Sequence, residues 1–116
     1  MKEIKDAEDR IQSEGYIWFH NTYPQFRGLL CYNLNNSKNA IDGNKNKGLG
    51  LQKGRSDLVL YWNGKAYMLE CKTPKGRQST GQVVWQETVE KQGFEYHVFR
   101  SKEELIKIIT LIIGYY

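Results

Sequence analysis

The stretch DLVLYWNGKAYMLECK, from Asp57 to Lys72, decides the fold of this chain. Two runs rich in apolar and aromatic residues flank Asn63-Gly64, and both of these turn residues tolerate the positive φ angles of a type I′ hairpin turn. With that turn, position 62 faces 65, 60 faces 67, 58 faces 69 and 57 faces 70. Both faces of the hairpin are apolar, which predicts a central place in a sheet that is covered on both sides.

The segment before the hairpin contains one predicted helix and one predicted strand. Ile4, Ile11 and Trp18 recur at seven-residue spacing, which predicts an amphipathic helix over residues 3 to about 20 that stops near Pro24. The apolar run 29–34 predicts a short strand. Residues 35–54 are rich in Asn, Lys and Gly, a composition that predicts a loop.

The segment after the hairpin contains two helix starts. Ser79 with Gln82, and Ser101 with Glu104, have the spacing of a capping box. The first predicts a helix to about residue 92 that Gly93 ends, and the second predicts a last helix up to position 113. Residues 94–100 predict a strand between them. The order α-β-β-β-α-β with a C-terminal helix predicts an α/β fold, with a mixed sheet flanked by helices, in a single domain over residues 1–116.

The composition restricts the class of protein. The 116 residues are 40% hydrophobic and 26% charged, which is typical of a soluble globular domain. No apolar run approaches the roughly 18 residues of a membrane span, and the acidic N-terminus does not fit a signal peptide, so we expect a cytoplasmic or nuclear protein without a membrane partner. Cys31 and Cys71 show neither disulfide nor zinc spacing and are expected to be buried thiols.

Positive charge is concentrated in one part of the chain. The net charge is +4, but the block from Lys38 to Arg77 carries nine Lys or Arg and three acids, a local charge of +6. This asymmetry favours a polyanionic partner, although a solvated lysine-rich loop would give the same pattern.

The hairpin register brings three charged side chains together. Asp57 and Glu70 oppose each other with Cβ atoms roughly 5 Å apart, and Lys72 lies on the same face two residues further on. Two carboxylates at that distance repel unless one is protonated, Lys72 neutralises them, or a divalent metal binds. Hard oxygen ligands with open positions for water and phosphate suit Mg²⁺. A surface salt-bridge cluster is the alternative that involves no chemistry.

Two further polar residues lie on predicted helix faces. Glu8 falls within the stripe set by Ile4 and Ile11, and a carboxylate there needs a partner or a metal. Gln82 shares a face with Val89 and could act similarly, although position 82 is also the reciprocal member of a capping box.

Ser56-Asp57 followed by Glu70-Cys71-Lys72 resembles the PD-(D/E)xK nuclease superfamily. The wider segments are similar to its VRR-NUC branch over roughly residues 5 to 106, in the runs 54–58, 69–77, 82–85, Gly93, and Glu8 with 11–12. The resemblance implies a restriction-endonuclease-like core. Ser56 stands where the family usually has proline, and we expect this departure to loosen the turn that presents Asp57.

The resemblance also implies a metal-dependent nuclease and gives the residues roles. Asp57 and Glu70 would hold Mg²⁺ or Mn²⁺, helped by the backbone carbonyl of Cys71, with Glu8 as a further ligand of the metal or its water.

Other residues would serve the substrate. Lys72 would orient the attacking water or stabilise charge on the phosphorane, and Gln82 would help to position water or backbone. Four cations flank the acids and would neutralise phosphates: Lys53, Arg55, Lys75 and Arg77.

The expected substrate is DNA, in particular branched DNA such as a Holliday junction. The alternatives are a nicking or restriction-type nuclease on duplex DNA and a non-cleaving nucleic-acid-binding module. Between Leu105 and Ile113 only Lys107 and Thr110 are polar, so the last helix predicts an exposed apolar patch and a homodimer through it. Similarity to stand-alone, resolvase-like family members implies the cytoplasm of a bacterial or phage-infected cell.

Overall fold

A four-stranded sheet with helices on both faces forms the body of the protein. The computed structural model describes residues 7–33 and 40–114. Its elements in chain order are α1 (Ala7–Thr22), a 3₁₀ turn (Pro24–Phe26), β1 (Leu30–Tyr32), α2 (Ala40–Gly48), β2 (Leu58–Trp62), β3 (Lys65–Cys71), α3 (Thr80–Lys91), β4 (Glu95–Phe99) and α4 (Lys102–Ile113). The predicted α/β class is confirmed, and α2 is an addition to the predicted order. Predicted helical residues 3–6 and strand residue 34 lie outside the described residues.

The central hairpin forms as predicted. Asn63 and Gly64 both have positive φ angles, 53° and 77°, as a type I′ turn requires. The antiparallel register runs from Trp62↔Lys65 to Leu58↔Leu69. The strand order is β1-β2-β3-β4, so the hairpin is central, and the parallel β3–β4 pair makes the sheet mixed.

The two faces of the hairpin belong to two separate cores. Leu58, Leu60 and Leu69 pack with α1 and α4 in the larger core. Val59 and Met68 pack on the other face with α3 and β4. This division follows the period-2 alternation of the strands, and it confirms that both faces are covered.

The apolar residues of helix α4 pack against both the sheet and helix α1. Leu105 and Ile109 are buried, and an added Cβ on Gly15 of α1 would collide with Leu105, so the two helices approach closely. Because α1 also packs on α4, the expected exposed apolar patch is reduced but present: Leu111 is largely exposed, whereas Ile106, Ile108 and Ile112 are half-buried. The homodimer through this helix stays a prediction. No described helix combines the length and hydropathy needed to cross a membrane.

The predicted loop over 35–54 is wrong for residues 40–48, which form α2. The helix ends in a Schellman motif: the Gly50 N–H donates to the Lys47 carbonyl (3.1 Å) and the Leu51 N–H to the Asn46 carbonyl (2.8 Å), with Gly50 at φ 99°. Asn and Gly have low helix propensity, but propensity is a weak prior that local capping can overrule. Gly50 is therefore the residue that ends helix α2, and the sequence did not distinguish it from the other glycines of the predicted loop.

The two predicted capping boxes differ. In the first, the Gln82 N–H donates to Ser79 Oγ (3.2 Å) and the Ser79 N–H donates back to Gln82 Oε1 (2.8 Å). In the second, Ser101 Oγ accepts from the Glu104 N–H (3.1 Å), but Glu104 Oε1 accepts from the Arg100 N–H (2.6 Å) instead of returning to Ser101. Only half of the second box forms.

The cysteines are free thiols, as expected. Cys71 is buried, whereas Cys31 is only half-buried, so the expectation of two buried thiols is wrong for Cys31. Its Sγ donates to the Gly28 carbonyl at 3.1 Å.

Candidate active site

The predicted acids meet at the end of the hairpin that lies opposite the turn. Asp57 immediately precedes β2, and Glu70 lies near the end of β3. The strand ladder stops at Leu58↔Leu69, one residue short of the expected pairing of 57 with 70. Asp57 is held instead by its Oδ2, which accepts a 2.7 Å hydrogen bond from the Cys71 N–H.

Glu70 and Lys72 are buried ionisable groups, with exposed fractions of 0% and 8%. Glu70 Oε1 accepts hydrogen bonds from the Tyr96 hydroxyl and from Gln78 Nε2 (3.5 Å). Its other oxygen, Oε2, is buried without a hydrogen-bond partner among the described residues. Burying a carboxylate with one oxygen unpaired costs free energy, and such costs are typical of functional sites.

Tyr96 and Gln78 were missed by the sequence analysis. Tyr96 lies on β4 and pairs in register with Met68 of the parallel strand β3. Its hydroxyl therefore lies on the same side of the sheet as Glu70, to which it donates. Burial, and then the hydrogen bond to Glu70, raise the pKa of the Tyr96 hydroxyl, so it stays a proton donor. Gln78 also donates to Gln86 Oε1 (2.9 Å) on α3. A tyrosine within a predicted strand is expected to need a hydrogen-bond partner for its hydroxyl when it is buried, and this was the one sequence feature that pointed to Tyr96.

The Asp57 carboxyl lies in an environment that disfavours its charge. Burial raises its pKa, and the nearby Glu70 carboxylate raises it further. The Cys71 N–H and the Lys72 ammonium act in the opposite direction, but the pKa remains above its ordinary value. Asp57, Glu70 and Lys72 therefore interact electrostatically, as predicted.

Cys71 connects this site to α1. Its Sγ donates to the Glu8 carbonyl at 3.3 Å. Burial, followed by the Asp57 and Glu8 carboxylates, raises the pKa of the Cys71 thiol to about 12. The thiol is therefore neutral at physiological pH and is unsuited to act as a nucleophile.

The donor set fits a hard divalent cation in part. Among residues 7–33 and 40–114, no three His, Cys, Asp or Glu side chains are arranged to hold a metal ion. Asp57 and Glu70 instead offer two carboxylates, and the buried, unpaired Oε2 of Glu70 is an oxygen suited to such an ion. Mg²⁺ commonly binds through one or two carboxylates, with water and phosphate completing its shell. The roles of Glu8 and the Cys71 carbonyl stay predictions.

Gln82 lies in the first turn of α3, and its side chain is engaged in the helix cap. Its Oε1 accepts from the Ser79 N–H, so Gln82 has the capping-box role that was the alternative to a catalytic one. The catalytic role of Gln82 stays a prediction, and only its Nε2 could serve it.

The segment that presents Asp57 is anchored, contrary to the expectation of a loosened turn. Ser56 is buried, and its Oγ donates to the Leu58 carbonyl at 3.1 Å. Its carbonyl accepts from Asn33 Nδ2 (3.0 Å), and Asn33 Oδ1 accepts from Arg55 Nη2 (2.7 Å). The hydroxyl and the Asn33 amide thus supply the anchoring that proline was expected to provide. Asn33 had no signal in the sequence, because it lies more than twenty positions away.

The four predicted phosphate-contacting cations are not equivalent. Lys53, Lys75 and Arg77 are exposed. Arg55 is half-buried and hydrogen-bonded to Asn33, so it also holds the loop. A fifth cation, Arg100, was missed: its Nη1 donates to the carbonyls of Thr73 (2.8 Å) and Gly76 (2.7 Å) and thereby fixes the loop that carries Lys75.

Known proteins resemble this chain in sequence pattern and in fold. The family model of the VRR-NUC domain matches residues 2–103. Among solved structures, a VRR-NUC domain protein has a similar fold, with a TM-score of 0.75 and 19% sequence identity over 97% of this chain and 91% of that chain. No curated protein matches the sequence.

Gly54→Ala is expected to destabilise the protein more than Gly64→Ala. Both glycines have nearly equal positive φ angles, 79° and 77°, but a Cβ on Gly54 would lie 2.5 Å from the Gly81 carbonyl oxygen, whereas Gly64 has no atom within 4 Å. The left-handed conformation costs about 1 kcal/mol in either variant, and the clash should add roughly 1–3 kcal/mol for Gly54. Urea denaturation measures both, and equal losses would contradict the close approach.

Asp57→Asn is expected to stabilise the metal-free protein near neutral pH. An aspartate whose pKa is raised by folding favours the folded state at low pH, and this contribution is lost as the pH rises through the raised pKa. Asn keeps an oxygen for the Cys71 N–H without the charge. Denaturation in EDTA should show a gain of about 1 kcal/mol near pH 7 that vanishes near pH 4. A gain that is independent of pH would disagree.

Proposed function

Because the chain belongs to the VRR-NUC family of nuclease domains, we propose that it is a metal-dependent endonuclease that hydrolyses DNA phosphodiester bonds, with branched or otherwise structured DNA as its substrate. The observation that carries the proposal is the buried Glu70, which keeps one oxygen unpaired beside Asp57 and Lys72.

Asp57 and Glu70 would hold Mg²⁺ or Mn²⁺, with the Cys71 backbone carbonyl and Glu8 as further ligands. A bound divalent ion supplies Lewis acidity toward the scissile phosphate and lowers the pKa of its water. Neutralisation of the two carboxylates would also relieve the repulsion that contributes to the raised pKa of Asp57.

The surrounding residues hold the two acids in place before substrate binds. The Cys71 N–H fixes Asp57 Oδ2, while the Tyr96 hydroxyl and Gln78 fix Glu70 Oε1. Each carboxylate therefore has one oxygen tied to the protein. Such preorganisation avoids a reorganisation cost at the moment of reaction.

Lys72 would provide the positive charge that acts on the attacking water and the scissile phosphate. Its burial at 8% exposure places the ammonium in a low-dielectric environment, where it acts more strongly on developing negative charge than a solvated lysine would. It would orient the attacking water or stabilise the phosphorane. Gln82 would assist through its Nε2, because its Oε1 is used by the cap.

A non-cleaving nucleic-acid-binding module is disfavoured by the same residues. Binding of phosphates requires exposed cations such as Lys53, Lys75 and Arg77, and it has no need for a buried carboxylate with an unpaired oxygen. A nicking or restriction-type activity on plain duplex uses the same chemistry, so the substrate must be established by a cleavage panel.

Lys72→Ala is expected to lower the cleavage rate by about 10²–10³-fold, because the charge that stabilises the transition state is removed. Lys65→Ala is the matched control, since Lys65 is an exposed lysine at the first position of β3, whereas Lys72 directly follows the other end of that strand, beside the acids. The assay compares linear duplex, flap, splayed-arm, four-way-junction and RNA substrates in Mg²⁺, Mn²⁺ and EDTA. Cutting in EDTA, or equal rates for wild type and Lys72→Ala, would refute the mechanism, and preference for four-way junctions would establish the substrate class.

Lys75→Ala and Arg77→Ala are each expected to weaken DNA binding without changing its sequence dependence. If each cation neutralises one phosphate, the slope of log affinity against log salt should fall by about 0.9 per substitution. Arg55→Ala should in addition lower stability, because the bond to Asn33 is lost. Unchanged slopes for Lys75→Ala and Arg77→Ala would remove these residues from the interface.

A further inference from the structure

A groove beside the acids remains unused by the proposed chemistry. We call it the tyrosine groove; it has a volume of about 330 Å³ and is lined by Asp9, Gln12, Ser13, Tyr16, Tyr32 and Leu58. The first four residues belong to α1, Tyr32 ends the edge strand β1, and Leu58 directly follows Asp57 in the chain. The groove therefore borders the candidate active site on its α1 side.

Two tyrosine rings form the exposed walls of the tyrosine groove. Tyr16 is 40% exposed and Tyr32 is 65% exposed, so both side chains are accessible to a bound partner. Aromatic rings exposed beside a nuclease site resemble the stacking surfaces on which proteins hold unpaired bases.

The charge of the tyrosine groove distinguishes a base from a phosphate. Among residues 7–33 and 40–114, its lining includes no Lys or Arg and includes the acid Asp9, whose charge also acts on Asp57. A phosphate would be repelled there, whereas a neutral base has an aromatic face for the tyrosines and edge groups for the polar side chains of Gln12 and Ser13. The exposed cations Lys53, Lys75 and Arg77 lie in other loops and are available for the phosphates.

We propose that the tyrosine groove holds one unstacked base of the DNA strand, within one or two nucleotides of the phosphate that is cut. This rests on the proposed function and narrows it: the substrate has an unpaired or easily unpaired nucleotide at the cleavage position. Flaps, splayed arms and junctions provide such nucleotides at low cost, whereas a plain duplex must be opened first.

A double-mutant cycle between protein and DNA tests the contact. Affinities are measured in Mg²⁺ with Lys72→Ala protein, which is expected to bind without cutting, on a splayed-arm DNA in which single nucleotides are replaced in turn by abasic sites. One abasic position should weaken binding about tenfold, and Tyr32→Ala should weaken binding to intact DNA by a similar factor. At that position the two losses should not add, because both remove the same contact.

The matched control is Tyr61→Ala. Tyr61 is 50% exposed and lines a different hollow, near the turn end of the hairpin and away from the acids. Its substitution should leave the affinity and the abasic profile unchanged, and Tyr32→Phe should retain binding within about twofold, because the ring is kept. If Tyr32→Ala unfolds, as thermal melting would show, Tyr16→Ala replaces it in the cycle.

The outcomes separate this inference from the proposed function. Additive losses at every DNA position would overturn the tyrosine groove as a base site, and cleavage by the wild type would still support the nuclease. Coupling at one position without cleavage by the wild type would support the groove and overturn the nuclease. Absence of DNA binding by the Lys72→Ala protein in Mg²⁺, together with absence of cleavage by the wild type, would overturn both.

Discussion

The register of the β2–β3 hairpin is the constraint on which the rest of the structure depends. Because side chains alternate along a strand, a slip of one residue would exchange the two faces. The apolar residues that face α1 and α4 would then face α3, and Glu70 would enter the larger core without its partners. The turn at Asn63-Gly64 prevents this slip through two consecutive positive φ angles, which few residue pairs adopt without strain. The same turn that separates the two cores therefore determines which side of the sheet carries the acids.

The site at the far end of the hairpin is costly to fold. Glu70 and Lys72 are both buried, Glu70 keeps one oxygen unpaired, and the raised pKa of Asp57 shows that its charge is disfavoured. Large apolar surfaces on both faces of the sheet offset this cost, since every described strand contributes to one core or the other. Binding sites for metals and phosphates commonly lower the stability of the unliganded protein, because their polar groups gain partners only when the ion or substrate binds.

The loops around the acids are held by side chains from distant parts of the chain. Asn33 at the end of β1 binds the segment before Asp57, and Arg100 after β4 binds the loop after β3. The Cys71 thiol connects the end of β3 to the first turn of α1, which places the acids beside the tyrosine groove. The end of the sheet that carries the acids thus has loops fixed by distant side chains and an open groove beside them.

The sequence by itself determined what depends on local chemistry: the turn, the register, the apolar division of the hairpin, the first capping box, and the grouping of Asp57, Glu70 and Lys72. It did not reveal α2, because Asn- and Gly-rich residues obscured a helix whose clearest signal was a single C-terminal glycine. Tertiary structure alone decided the partners of the acids, since Tyr96 reaches Glu70 only through the parallel pairing of β3 with β4. It also decided that α1 covers a second side of α4, which a helical pattern cannot distinguish from an exposed apolar face. Turns, caps and strand register depend on residues that are close in sequence, whereas contacts between distant segments depend on how the helices and strands pack.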